Sequence, residues 1–140
     1  MGFKNIMHGG KILLTWGVAE LLLLGTHKTV PGLIEELKNC FEEYNKLYFD
    51  GELDEPKVVE IVWAIQGRHI LGGWDESNQT LYLARRVLFS TTIRRETLLH
   101  EMAHMKVGQG HGHDETFERE IKRLEELGAF RQFHMPRASR

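Results

Sequence analysis

From Pro31 onward, apolar side chains return every three or four positions: Ile34, Leu37, Phe41, Tyr44 and Tyr48. That spacing gathers them on one stripe of a helix. Proline in a first helical turn sacrifices no hydrogen bond, so the pattern predicts a helix that Asp50-Gly51 brings to an end. The next run changes period. Val59, Ile61 and Trp63 alternate with Val58, Glu60 and Val62, which predicts a strand. Glycines at 67, 72 and 73 interrupt the chain beyond it, and residues 70–74 and 80–84 read as two strands joined by the polar turn Asp75-Glu76-Ser77-Asn78. A second helix is expected over about 92–107 and ends at Gly108, because each glycine of Gly108-Gln109-Gly110-His111-Gly112 would cost a helix about 1 kcal/mol. A third begins near Asp114, whose short carboxylate suits a helix N-cap, and carries Phe117, Ile121, Leu124 and Leu127 on one face before Gly128. The order helix, three strands, helix, helix predicts an α+β fold with a small three-stranded sheet.

With 41% hydrophobic and 27% charged residues in 140, the chain can bury one core and is not disordered. Eighteen Lys and Arg against twenty Asp and Glu leave a net charge of −2, so bulk charge does not argue for a nucleic-acid partner. Cys40 is the only cysteine, which excludes an internal disulfide framework and a four-cysteine zinc ribbon and fits a reducing, cytoplasmic setting. The longest apolar stretch, residues 12–24, contains Glu20 and falls short of the ~20 residues of a spanning helix, so no membrane partner is expected. Lys4 and Lys11 precede this stretch as they would in an export leader, but Glu20 and the lack of a small-x-small cleavage site argue against one. Residues 1–30 read as an N-terminal extension of unknown role, residues 31–128 as the domain, and residues 129–140 as a short basic tail. That tail carries Arg131, Arg137 and Arg140 with Phe130 and Phe133 interleaved. The tail and the pairs Arg85-Arg86 and Arg94-Arg95 read as solvated surface rather than as a phosphate-binding patch.

Histidine is the unusual count: eight in the chain, four of them between 100 and 113. In Leu98-Leu99-His100-Glu101-Met102-Ala103-His104 the two histidines stand four apart, so on a helix both imidazoles project from one face and two ring nitrogens can reach one zinc ion at about 2.0–2.1 Å. Glu101 lies on the same side, where a carboxylate can take a proton from a metal-activated water. At this composition the spacing arises by chance about 0.05 times per chain, so its context matters. Thr97, His100, Glu101, His104 and Gly108 form one polar stripe, flanked on both sides by Leu98, Leu99, Met102, Ala103 and Met105. A helix apolar over most of its circumference is buried, and imidazoles and a carboxylate on a buried stripe are costly unless something satisfies them; a metal ion does. Catalytic zinc needs three protein ligands and one open position. His111 and His113, just past the glycine break, both qualify as the third. A glycine and a histidine three and six residues after the second ligand would mark another class of zinc protease, but those positions are Val107 and Gly110. Glu118 or Glu120 on the next helix ranks below the loop histidines.

The ordered set of segments resembles the SprT-like zinc metallopeptidases, the group that includes Spartan. Phe41-Glu42-Glu43-Tyr44-Asn45-Lys46-Leu47-Tyr48-Phe49-Asp50-Gly51-Glu52-Leu53 is similar to that family's opening helix. Leu71-Gly72-Gly73-Trp74 resembles its small-residue turn, and Thr80-Leu81-Tyr82-Leu83 its following strand. The segment from Leu98 to His104 resembles its active helix, and His113-Asp114-Glu115-Thr116-Phe117 its third-ligand pattern. The likeness runs over about residues 33–127. It implies a zincin-like domain holding one Zn2+ through His100, His104 and His113, with Glu101 as general base, and His111 as a supporting or alternative ligand. It implies a zinc-dependent endopeptidase acting on a protein or peptide, with DNA-associated or DNA-crosslinked proteins as a substrate class. It also implies that extended substrate pairs with an edge strand, for which residues 80–84 are the candidate. Trp74 is expected in the core, and Tyr82 is a candidate for stabilising the oxyanion. Two other readings stand beside the protease. One is a non-catalytic, zinc-stabilised binding module with His111 and His113 both bound; the other is a DNA-bound scaffold.

Overall fold

The period-two and period-three stretches fold into one mixed sheet with three helices against it. The computed structural model describes residues 11–15, 30–62 and 71–133. In chain order the elements are strand β1 (Lys11–Thr15), helix α1 (Val30–Tyr48) and strands β2 (Val58–Val62), β3 (Gly72–Asp75) and β4 (Thr80–Ala84). A 3-10 turn (Arg85–Phe89) and helices α2 (Thr91–Val107) and α3 (Glu115–Glu126) come after them. This is the α+β fold that the pattern predicts, but the sheet has four strands in the order β1-β2-β4-β3. The additional strand, β1, comes from the extension and pairs antiparallel with β2, Leu13 opposite Glu60. Trp63, Gly67 and Ile70, the part of the apolar stretch beyond Thr15, and the tail from residue 134 with Arg137 and Arg140 lie outside the described residues.

Strand β2 runs parallel to β4, Val59 beside Leu81 and Ile61 beside Leu83, while β3 returns antiparallel to β4 with Trp74 opposite Leu81. Residues 80–84 are therefore interior, and among the described residues the edge on that side is β3. Composition explains the correction. All five residues of β4 are buried, as in a strand covered on both faces, whereas β3 is a short Gly-Gly-Trp-Asp segment with half-buried ends. The hairpin between them is fixed by the Asp75 carboxylate, which accepts from the Ser77 backbone N–H and hydroxyl and from the Asn78 amide.

Val59, Ile61, Leu81 and Leu83 form a continuous core with Leu37 and Phe41 of α1, Leu98, Leu99, Met102 and Ala103 of α2, and Phe117 and Leu124 of α3. At roughly 1.5–3 kcal/mol per large side chain withdrawn from water, this cluster is the main force holding α2 against the sheet. The beginning of the tail is part of it. Ala129 is fully buried, Phe130 and Phe133 pack on the core, and the Tyr44 hydroxyl donates to Gln132. Among the described residues no helix is long and apolar enough to cross a membrane.

The Arg94-Arg95 pair departs from the reading as solvated surface. Arg94 is 4% exposed, and its Nε and Nη2 donate to Glu36 Oε1 at 3.1 and 2.6 Å, its Nη1 to the Leu88 carbonyl. Arg95 Nε donates to the other oxygen of Glu36 at 2.7 Å. One carboxylate of α1 thus pins the first two turns of α2. Removing the partner of a buried charge costs about 3–5 kcal/mol, while an exposed ion pair contributes about 1 kcal/mol or less. Urea unfolding of Glu36→Ala is expected to show a loss of about 3 kcal/mol, and Arg95→Ala under about 1 kcal/mol; equal losses would mean that Arg94 does not depend on Glu36.

Candidate metal centre

Helix α2 starts on Ser90, whose hydroxyl accepts from the Ile93 N–H, and stops at Gly108, whose φ of 88° suits only glycine without strain. Its apolar residues face the core, which leaves one stripe for His100, Glu101 and His104. The two imidazoles lie 5.1 Å apart between ring centroids. Beyond Gly108 the chain turns back through Gly110 and Gly112, both also at positive φ. This return carries His113 to the stripe. His113 Nε2 lies 3.3 Å from His100 Nε2, and its ring centroid is 5.0 Å from that of His104. One ligand atom from each of the three lies within 4.8 Å of the others. Phe117, one helical turn past His113, stacks on His104 at 4.1 Å and 17° and touches the other two rings, so the core aromatic of α3 fixes the imidazole planes.

The remaining candidates do not join this group. His111 turns its Nδ1 to Asp114 Oδ2 at 2.9 Å. Glu120 is buried but paired with Arg123, and Glu118 is exposed. Tyr82 alternates with Leu81 and Leu83, so its side chain belongs to the opposite face of the sheet and does not line the cleft. Trp74 does two things: it packs on the core and lines the cleft.

Burial sets the proton chemistry. His100 and His104 are pushed down to about 4, first by desolvation and then by neighbouring imidazoles. Both are neutral near pH 7, with lone pairs available to a cation. Glu101, 3% exposed, is pushed up to about 8 by desolvation. Its Oε1 is the one buried side-chain polar atom without a hydrogen-bond partner among the described residues. Its Oε2 faces Gly72 of β3: a Cβ built there would lie 3.2 Å from that oxygen and 2.7 Å from Thr97 Cγ2. Glycine inside a strand marks close approach of backbone to a neighbour, and here it is what lets β3 close over the carboxylate. Residue spacing does not reveal this role, although an interior Gly-Gly is the signal for it.

These residues fit a metal ion. Two nitrogens sharing a tetrahedral zinc at about 2.0–2.1 Å stand roughly 3.4 Å apart, and His100 and His113 show 3.3 Å. The three imidazoles are a borderline-soft donor set suited to zinc and its neighbours, and a cation beside Glu101 would offset the desolvation of an otherwise unpartnered carboxylate. The cleft above has a volume of about 980 Å³ and runs along α2 from Ile93 to Gly108, with β3 as its other wall. Besides Glu101 its described lining includes Asp75, Glu76 and Glu96, and among the described residues no Lys or Arg lines it.

No curated protein matches the chain. The family model described as SprT-like matches residues 37–137, from α1 through all of α3 and most of the tail. With well over half of its length matched, this chain belongs to the SprT-like family.

Proposed function

We propose that this protein is a zinc-dependent endopeptidase, with His100, His104 and His113 holding one Zn2+ and Glu101 acting as general base. The observation that carries the reading is the convergence of three imidazoles beside a buried, unpartnered carboxylate in an open cleft. Bound zinc supplies a Lewis acid that polarises the scissile carbonyl and lowers the pKa of water towards 7. Glu101 accepts a proton from the attacking water and delivers it to the leaving amide nitrogen; a carboxylate with raised proton affinity suits both halves of that transfer. Extended substrate adds to the free edge of β3, which places the chain between that strand and the histidines. A cleft lined by carboxylates accepts a polypeptide rather than a nucleic-acid backbone. The family resemblance points to DNA-associated proteins as the source of that polypeptide. His111 stands outside the cluster of three imidazoles, which favours a catalytic site over a closed structural one.

Glu101→Gln is expected to keep about one zinc per chain, measured by elemental analysis, and to lose at least about 10²-fold in cleavage of an unfolded protein. Cleavage at the wild-type rate would remove Glu101 from the mechanism. Gly72→Ala is expected to retain zinc while kcat falls about tenfold, because the added methyl displaces Thr97 and the Glu101 carboxylate; unchanged kcat would show that β3 has room there.

For the metal-free protein the protonation pattern gives a sign at each pH. Between 4 and 6.5 the unfolded state binds more protons at His100 and His104, so stability rises with pH. Between 4.5 and 8 the folded state keeps the Glu101 proton that the unfolded state has released, so this group lowers stability as pH rises. Chemical denaturation should therefore give a maximum near pH 6.5. Glu101→Gln should flatten the alkaline limb and be more stable at high pH by on the order of 1–3 kcal/mol.

A further inference from the structure

His113 reaches the other two histidines from a segment that should be hard to hold still. Between the end of α2 and the start of α3 stand three glycines at positive φ, and His113 itself is exposed. Glycine loses more backbone freedom on ordering than any other residue, so a ligand carried by this loop would bind metal weakly unless the loop were fixed beforehand. The contacts that fix it converge on Asp114. Its backbone N–H donates to the His111 carbonyl at 2.9 Å, which closes the turn containing His113. Oδ1 accepts from the Phe117 N–H at 3.1 Å and caps α3, and Oδ2 faces His111 Nδ1 at 2.9 Å. The two oxygens divide the work: one ties Asp114 to the helix that carries Phe117, and the other ties it to the residue two before the third imidazole.

We infer that His111 is a positioning residue, which through Asp114 sets the turn that aims His113 at the metal and so raises metal affinity without touching the ion. This rests on the zinc reading above. A side chain bonded to a neighbouring carboxylate thereby acquires a function, and the second histidine of the loop needs no place in the coordination sphere. Groups that orient metal ligands from outside change affinity by about 10–100-fold.

The test measures zinc affinity by competition with a chromophoric chelator, and the visible spectrum of the cobalt(II)-substituted protein, for wild type and four variants. His111→Ala and Asp114→Ser each cut the His111–Asp114 bond, and serine at 114 still caps α3. Both are expected to weaken zinc binding about tenfold, with the four-coordinate cobalt spectrum retained and metal-free melting unchanged within a degree or two. His111→Asn, whose amide can donate to Asp114 as Nδ1 does, should restore affinity to within about threefold of wild type. His113→Ala should abolish the cobalt spectrum. Wild-type affinity in both His111→Ala and Asp114→Ser overturns the inference while leaving the zinc reading intact. Loss of the cobalt spectrum in His111→Ala but not in Asp114→Ser also overturns it, by making His111 a ligand. Failure of the wild type to bind zinc or cobalt overturns the reading beneath it.

Discussion

A carboxylate removed from water with no donor to meet it costs folding free energy, and Glu101 is in that position with one oxygen unpartnered and the other pressed against β3. Most of the neighbourhood is arranged to tolerate this cost. The helix that carries Glu101 sinks Leu98, Leu99, Met102 and Ala103 into the core, which holds it rigidly. The adjacent imidazoles are buried enough to stay neutral, so they leave Glu101 without a counter-charge but keep their lone pairs for a cation. The strand that passes over the carboxylate has glycine at the point of contact. A cation at the three nitrogens would reverse the energetics locally, because the same ion that the imidazole lone pairs attract also favours the ionised carboxylate.

Stability is supplied at a distance from the site. The Arg94–Glu36 pair clamps the first turns of α2 to α1, and Leu98, Leu99, Met102 and Ala103 bind its middle to the sheet. At the far end of the helix Met105 and Val107 pack against the core, and Phe117 stacks on His104 from α3, which is itself capped by Asp114. The stripe is therefore anchored on a rigid element, while one imidazole arrives on a loop. Such an arrangement divides the site into a pre-formed pair and a third group whose placement depends on local hydrogen bonds.

Much of this can be read from residue order, for identifiable reasons. A spacing of four puts His100 and His104 on one helical face wherever the helix sits, and Gly108 and Asp114 mark helix ends by backbone rules that need no tertiary information. Helix geometry alone does not choose between His111 and His113, since both come after the same glycine break; the family resemblance, with its aromatic four residues on at Phe117, is what favours His113. What separates them in space is a hydrogen bond to Asp114, and spacing cannot express it. Sheet order is non-local in the same way. Thr80–Ala84 and Gly72–Asp75 both read as strands, but only the pairing of β4 with β2 decides which is interior. Arg94 shows the reverse difficulty: beside Arg95 it has the look of solvated charge, and its burial depends on Glu36, 58 positions away. Strand β1 pairs across more than forty residues, and nothing in the composition of residues 1–30 announces a partner.

Among the described residues, the edge strand of the sheet at the cleft is four residues long. A ladder that short offers a visiting chain few backbone hydrogen bonds, each contributing roughly 1 kcal/mol net. On the proteolytic reading, that grip is too weak to pull apart a stably folded domain, whose local opening can cost several kcal/mol. The enzyme would then act as a gauge of substrate order, cutting tails, linkers and already loosened regions, with the folding stability of the victim rather than its sequence deciding how fast it is lost.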